Sequence, residues 1–220
     1  MNSKFPYQAV IFDLDGTLID SAPSILASFE SALKRGGVQP LVPFTDALIG
    51  PPLRQTLINL TGISDDSVLD ALIEYFKDSY DSEGYLATRV YEGVEELLTS
   101  LSARHIPMAI ATNKRKIPTL KILNHLGWES YFKLVGSLDS INPPYPDKGA
   151  LISALLDEMG VDAATSVYAG DKLEDGEAAK ANKMHFIAAG WGYGDWGEIK
   201  IQSGWQVDLS PADFMKRFDD

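Results

Sequence analysis

The stretch "AVIFDLDGTLIDS" (residues 9–21) decides how this chain is read. Its first four residues have the composition of a buried strand, with no polar side chain among them. Two carboxylates then follow one residue apart, Asp13 and Asp15, with Gly16 and Thr17 directly behind. Unpaired carboxylates beside a core carry a large desolvation cost, so something must hold this pair ionised.

Outward from that strand the pattern becomes helical. Asp20 or Ser21 is placed to cap, Pro23 suits a first turn, and Ile25, Leu26, Phe29 and Leu33 share one face up to Gly36 and Gly37. A short helix follows "GPP" with Leu53, Leu57, Ile58 and Leu60, and a longer one begins near Asp65 and Asp66. No strand pattern interrupts 21–83. From Tyr91 onward helices and strands alternate: helices over 92–103, 115–126, 149–159 and 174–182, strands over 107–111, 132–135, 166–169 and 184–188. Such alternation predicts an α/β fold, a doubly wound parallel sheet covered on both faces, with the helical block inserted after the first strand. The expected division is a core of 1–17 and 88–220 and a helical unit of 18–87. The tail from Trp191 is rich in Gly and Trp and is expected to end in a short helix over 211–218.

Composition narrows the function. The 220 residues hold 45% hydrophobic and 23% charged side chains, ordinary for a soluble globular protein. With 19 basic and 31 acidic residues the net charge is −12, which argues against nucleic-acid or anionic-membrane partners. A small anionic ligand stays open, because one bound cation inverts the field within a pocket. The absence of cysteine excludes disulfides, thiol catalysis and Cys-based metal sites. The opening "MNSKFPYQAVIF" meets Asp13 before a leader-like apolar run forms, and nowhere do 18 apolar residues run together, so a cytoplasmic protein is expected.

In open parallel sheets ligands bind beyond the carboxyl ends of the strands. Asp13 and Asp15 follow the first strand, Thr112, Asn113 and Lys114 a later one, and Asp171 follows "SVYAG" with Asp175 four residues on. Lys148 opens the helix before that strand. Each type has a task if the ligand is Mg²⁺ plus phosphate. Asp13 and Asp171, with a backbone carbonyl nearby, supply the oxygen ligands a hard cation requires. Asp13 is placed as a nucleophile, and Asp15, on the same side of the strand, as its proton-transfer partner. Gly16 allows a sharp exit, while Thr112 and Lys148 hold phosphate oxygens.

"DLDGTL", the hydroxyl residue after the second strand, the later lysine and "GDKLED" resemble the four motifs of the haloacid dehalogenase-like hydrolase superfamily, over essentially the whole chain. "LIDSAPSI", "LIGPPL", "YEGVEELL" and "ATNK" look most like the phosphoglycolate phosphatase-type members. The resemblance implies a Rossmann-like core with a small helical cap, and a Mg²⁺-dependent phosphatase acting on a small phosphorylated metabolite through an aspartyl-phosphate at Asp13. It implies metal held by Asp13, the Asp15 carbonyl and Asp171, with Asp175 as support. Asp15 is then the acid/base, and Thr112, Asn113, Lys148 and Arg54 (the last in the cap after "LIGPPL") are the substrate contacts. A monomer or homodimer is expected. A phosphosugar mutase on the same scaffold, or a non-catalytic phosphate or metal sensor, are the alternatives.

Two positions depart from the pattern. Lys148 is followed by Gly149 rather than proline, and Lys172 stands where a small residue is usual. Other features carry two readings. Arg54 is either a substrate contact or a solvated helix-face arginine. Lys114, Arg115 and Lys116 read as a solvated cluster, with Lys114 the one placed to face an anion. "WGYGDWG" (191–197) is either a loop flanking the site or a knot of packing aromatics, and His105, His125 and His185 lack ligand spacing.

Overall fold

The computed structural model describes residues 7–196 and 205–218. Strand β1 (Ala9–Phe12) lies inside a six-stranded sheet with β4 (Met108–Thr112), β5 (Leu134–Ser137), β6 (Ser166–Gly170), β7 (His185–Ala189) and β8 (Gln206–Asp208). The order is β5-β4-β1-β6-β7-β8 and every pairing is parallel. β1 is flanked by β4, with Phe12 opposite Ile110, and by β6, with Phe12 opposite Ala169. The strand ends carrying the polar residues therefore lie side by side.

Side chains alternate across a strand, and the two faces fill accordingly. Val10, Phe12 and Ile110 pack under α4 (Val94–Ala103), α5 (Lys116–Leu126) and the last helix, α8 (Pro211–Lys216). Ala9, Ile11, Ala109 and Ala111 pack under α6 (Lys148–Met159) and α7 (Leu173–Ala181). Burial on both faces is why these strands read as near-continuous apolar runs. Each fully buried Leu or Phe in these layers contributes roughly 2 kcal/mol.

The helical block has a core of its own. α1 (Ala22–Gly36), α2 (Leu53–Thr61) and α3 (Asp66–Tyr80) bury Phe29, Leu33, Leu57, Leu60, Leu72 and Phe76 together. Phe29 and Phe76 meet with ring centroids 4.6 Å apart. α1 ends on Gly37 at φ 65°, a conformation open to glycine at little cost.

Four strands differ from the sequence expectation. The two connections to the block pair with each other as an antiparallel ribbon, β2 (Ile19–Asp20) against β3 (Arg89–Val90), with Ile19 opposite Val90. Two-residue strands are too short to leave a periodicity. β5 starts two residues later than the pattern placed it, because Phe132 packs into the core beneath α5 while Leu134 pairs with Ala109. β8 adds an edge strand in the tail, and Arg217 beyond α8 pairs with its Asp208 at 2.6 Å. Of the loop 191–197, Gly197 lies outside the described residues. Among the described residues no helix is long and apolar enough to cross a membrane.

Candidate active site

Past Phe12 the chain leaves β1 through a tight turn. The Asp13 N–H donates to the Ala169 carbonyl at 2.8 Å, and the Leu14 carbonyl accepts from Leu18 and Ile19 at 3.0 and 3.1 Å. Gly16 takes φ 85°, and a Cβ there would lie 2.5 Å from the carboxyl carbon of Asp171. Only glycine allows both the turn and that approach. The result is a buried group: Asp13, Asp171 and Asp175 each offer a carboxylate oxygen, all within 4.8 Å of one another.

The three carboxylates are not equivalent. Asp175 is fully engaged: Oδ1 accepts from Lys148 Nζ at 2.6 Å and from the Tyr168 hydroxyl at 3.1 Å, and Oδ2 from the Lys172 N–H at 2.9 Å. Asp171 Oδ2 accepts from the Tyr193 N–H at 2.9 Å, but its Oδ1 is buried with no hydrogen bond. Asp13 Oδ1 likewise accepts no hydrogen bond, although Lys148 Nζ stands 3.1 Å away as an ion pair. Lys148 faces Asp13 and Asp175, and the charge of Lys172 acts on Asp171. Burial pushes Asp13 up to about 7; Lys148 pulls against it, and Asp175 and Asp15 add to the rise. Asp171 rises well above the ordinary range, through burial and then the charges of Asp13 and Asp175. Two buried oxygens without hydrogen bonds, on acids that resist ionisation, fit a divalent cation with oxygen ligands. Asp13 and Asp171 would hold it, with Asp175 in the same group of three and bonded as well to Lys148.

Asp15 belongs to a second cluster. Its carboxylate accepts from Lys114 Nζ at 2.9 and 3.0 Å and from the Ser21 hydroxyl. Lys114 Nζ also lies 4.7 Å from the centre of the Tyr80 ring, on the last turn of α3. The solvated reading of Lys114 is thereby corrected: its side chain is 5% exposed. α5 begins only at Lys116, so Lys114 lies in the turn before the helix and reaches back across the strand ends. Burial alone lowers its pKa, but Asp15 and Tyr80 more than reverse this and keep it cationic. A cavity of about 70 Å³ opens beside this pair, lined by Asp15, Lys114, Phe29, Ile49, Phe76 and Tyr80.

The remaining expected residues divide. Thr112, buried at the end of β4, accepts the Lys114 N–H at 3.1 Å. Asn113 also lines the cavity, but its amide donates to the Gly50 carbonyl at 2.9 Å and so holds a loop of the helical block. Arg54 is not brought to the carboxylates. It is exposed, bonded to Asp66 at 2.9 Å and to Asp70, because those two residues project one turn apart from α3. Arg115 pairs with Asp81 at 2.5 and 2.7 Å, a link between core and block. Lys172 directs its charge over the Tyr193 ring, 5.5 Å from its centre. Sequence reasoning gave no site role to Ser21, Tyr168 or Tyr193. Ser21 was within the opening stretch and Tyr193 within the flagged Gly–Trp loop, whereas a tyrosine inside a strand gives no signal.

A family model described as haloacid dehalogenase-like hydrolase matches residues 10–189. The phosphoglycolate phosphatase of Neisseria meningitidis serogroup A is 35% identical over 203 residues, covering 89% of this chain and 86% of that one. The tyrosine-protein kinase PtkA of Mycobacterium tuberculosis is 32% identical over 188 residues, covering 85% of this chain; the chain spans 63% of that protein's length. Among solved structures, a predicted phosphatase from Clostridium acetobutylicum superposes with a TM-score of 0.84 at 27% identity, covering 96% of this chain and 97% of the other.

Proposed function

Because the chain belongs to the haloacid dehalogenase-like hydrolase family, we propose that it is a Mg²⁺-dependent phosphatase that hydrolyses a small phosphate monoester through an aspartyl-phosphate on Asp13. One observation carries the reading: Asp13 and Asp171 each hold a buried oxygen without a hydrogen bond, beside a lysine anchored by a third carboxylate. Asp13, Asp171 and the Asp15 carbonyl would hold Mg²⁺, which would supply the charge that lets a phosphate dianion approach a carboxylate.

The chain's own groups then divide the work. Asp13 attacks phosphorus, forming an O–P bond as the ester P–O bond breaks. Asp15, entering the step with a proton taken from solvent, gives it to the leaving oxygen and later takes one from the water that cleaves the aspartyl-phosphate, so that Asp13 and Asp15 are both restored. Lys148 and Thr112 hold the phosphoryl oxygens as their charge grows. Residues 18–87 form a cap in this scheme, joined to the core through the β2–β3 ribbon and by the Arg115–Asp81 pair. A seated cap excludes bulk water and shapes the space for the leaving group.

The testing experiment is phosphate release across a panel of glycolate, nucleoside and sugar phosphates and pyrophosphate, with Mg²⁺ and with chelator. Mg²⁺-dependent release with one preferred ester is expected. Release that persists unchanged in chelator, or no release from any compound, contradicts the proposal.

A further inference from the structure

The loop 190–195 has no task in the chemistry above, yet it runs against both loops that do. A Cβ on Gly192 would overlap the Gly16 carbonyl oxygen, and one on Gly194 the Asp171 carbonyl oxygen. Between these glycines stands Tyr193, whose N–H donates to Asp171 Oδ2 at 2.9 Å. Its hydroxyl accepts from the N–H groups of Ser21 at 2.9 Å and Ala22 at 3.0 Å, and donates to Asp20 Oδ1 at 2.9 Å.

Those amides open α1, and Ser21 is its N-cap residue. A serine there ordinarily turns its own hydroxyl onto an amide of the first turn. Pro23 has no N–H, which leaves Ser24 as the amide within reach. Ser21 makes no such bond; its hydroxyl donates to Asp15 Oδ1 instead. Tyr193, 172 positions away, holds the Ser21 and Ala22 amides and with them a Ser21 backbone at φ −111°, ψ 0°, outside the extended geometry from which a cap serine reaches the Ser24 N–H, so the serine faces the carboxylate.

We infer that Tyr193 is a positioning residue: by holding the Ser21 and Ala22 amides it fixes the Ser21 backbone that keeps the Ser21 hydroxyl on Asp15, and through its N–H it ties that arrangement to Asp171. The roles given to Asp15 and Asp171 rest on the phosphatase reading; the hold on the Ser21 backbone does not.

Tyr193→Phe keeps the ring and the backbone N–H and removes only the hydroxyl. In the crystal structure of this variant the Ser21 hydroxyl is expected on the Ser24 N–H, away from Asp15; a Ser21 still bonded to Asp15 would overturn the inference. With the ester preferred by the wild type, kcat is expected to fall roughly tenfold while KM stays within about twofold, as for a mispositioned proton-transfer group. Ser21→Ala is expected to lose a similar factor, and the double variant no more than either single one. An unchanged kcat in Tyr193→Phe, or losses that multiply in the double variant, reduces Tyr193 to a helix cap and refutes the positioning role. A wild type that turns over no ester counts against the phosphatase reading, and the Ser21 rotamer in the variant then decides Tyr193 alone.

Discussion

Asp13 and Asp15 are two residues apart on one strand exit, yet their surroundings are opposites. Asp13 sits with Asp171 among other acids, its Oδ1 without a hydrogen bond and its carboxyl pushed up to about 7 by burial. Asp15 is held by a lysine on both oxygens and by a serine hydroxyl on one. The partners differ in origin as well. Lys148, Asp171 and Asp175 all come from the sheet domain's own strand ends and helices, whereas Tyr80, packed on Lys114, comes from the helical block. The contrast teaches a division of labour. The first cluster is incomplete as protein alone and suits a cation and a phosphoryl group. The second, complete at its carboxylate, touches the block through Tyr80.

The largest test of that contrast is Asp13→Asn, which is expected to lower turnover by at least about a thousandfold while leaving the fold intact. Steady-state rates and circular dichroism check both halves. Lys148→Met is expected to cost roughly a hundredfold in kcat, since it removes the one cation facing Asp13 and Asp175. In the second cluster the effect falls on stability: Lys114→Met leaves Asp15 buried without its counter-ion and is expected to cost about 3 kcal/mol in urea denaturation.

The pH dependence separates the clusters further. Asp13 has a folded pKa raised from 3.8 to about 7, so the metal-free protein is favoured below 3.8 and loses that stability as pH rises through about 7. Thermal melts in chelator should therefore drop between pH 5 and 8 by roughly 5 °C or more, and Mg²⁺ should restore more at pH 8 than at pH 5. A melt independent of pH and of Mg²⁺ would remove the basis for a cation at Asp13. The smallest expected effect is at Arg54. Its exposed pairs with Asp66 and Asp70 predict that Arg54→Ala changes stability by less than about 0.5 kcal/mol and turnover by less than about twofold. A tenfold loss of turnover would instead place Arg54 on the substrate.

Much of this was legible in the chain because strand ends are local features. The apolar runs at 9–12, 108–112 and 166–170 each stop at polar residues, and the rule for parallel sheets brings such ends together. The cluster Asp13, Asp171 and Asp175 follows from that alone. What the sequence concealed was direction. Lys114 looked like one of three solvated cations, since nothing local tells a lysine in a turn from one on a helix face. The diversion of Ser21 to Asp15 depends on Tyr193, distant in sequence, and the β2–β3 ribbon is too short to carry a period. Asp175 was placed on the metal side, where it lies with Asp13 and Asp171, and its three hydrogen bonds add a hold on Lys148, Tyr168 and the start of α7 that no sequence pattern announces.

The most direct measurement is to incubate the protein with Mg²⁺ and its preferred ester labelled in the phosphoryl group, quench in acid, and map the label by peptide mass spectrometry. The account predicts label on Asp13, absent in Asp13→Asn and retained in Asp15→Asn. Label on Asp15, or label that survives Asp13→Asn, would contradict the assignment of the incomplete cluster to phosphoryl transfer and the complete one to the proton.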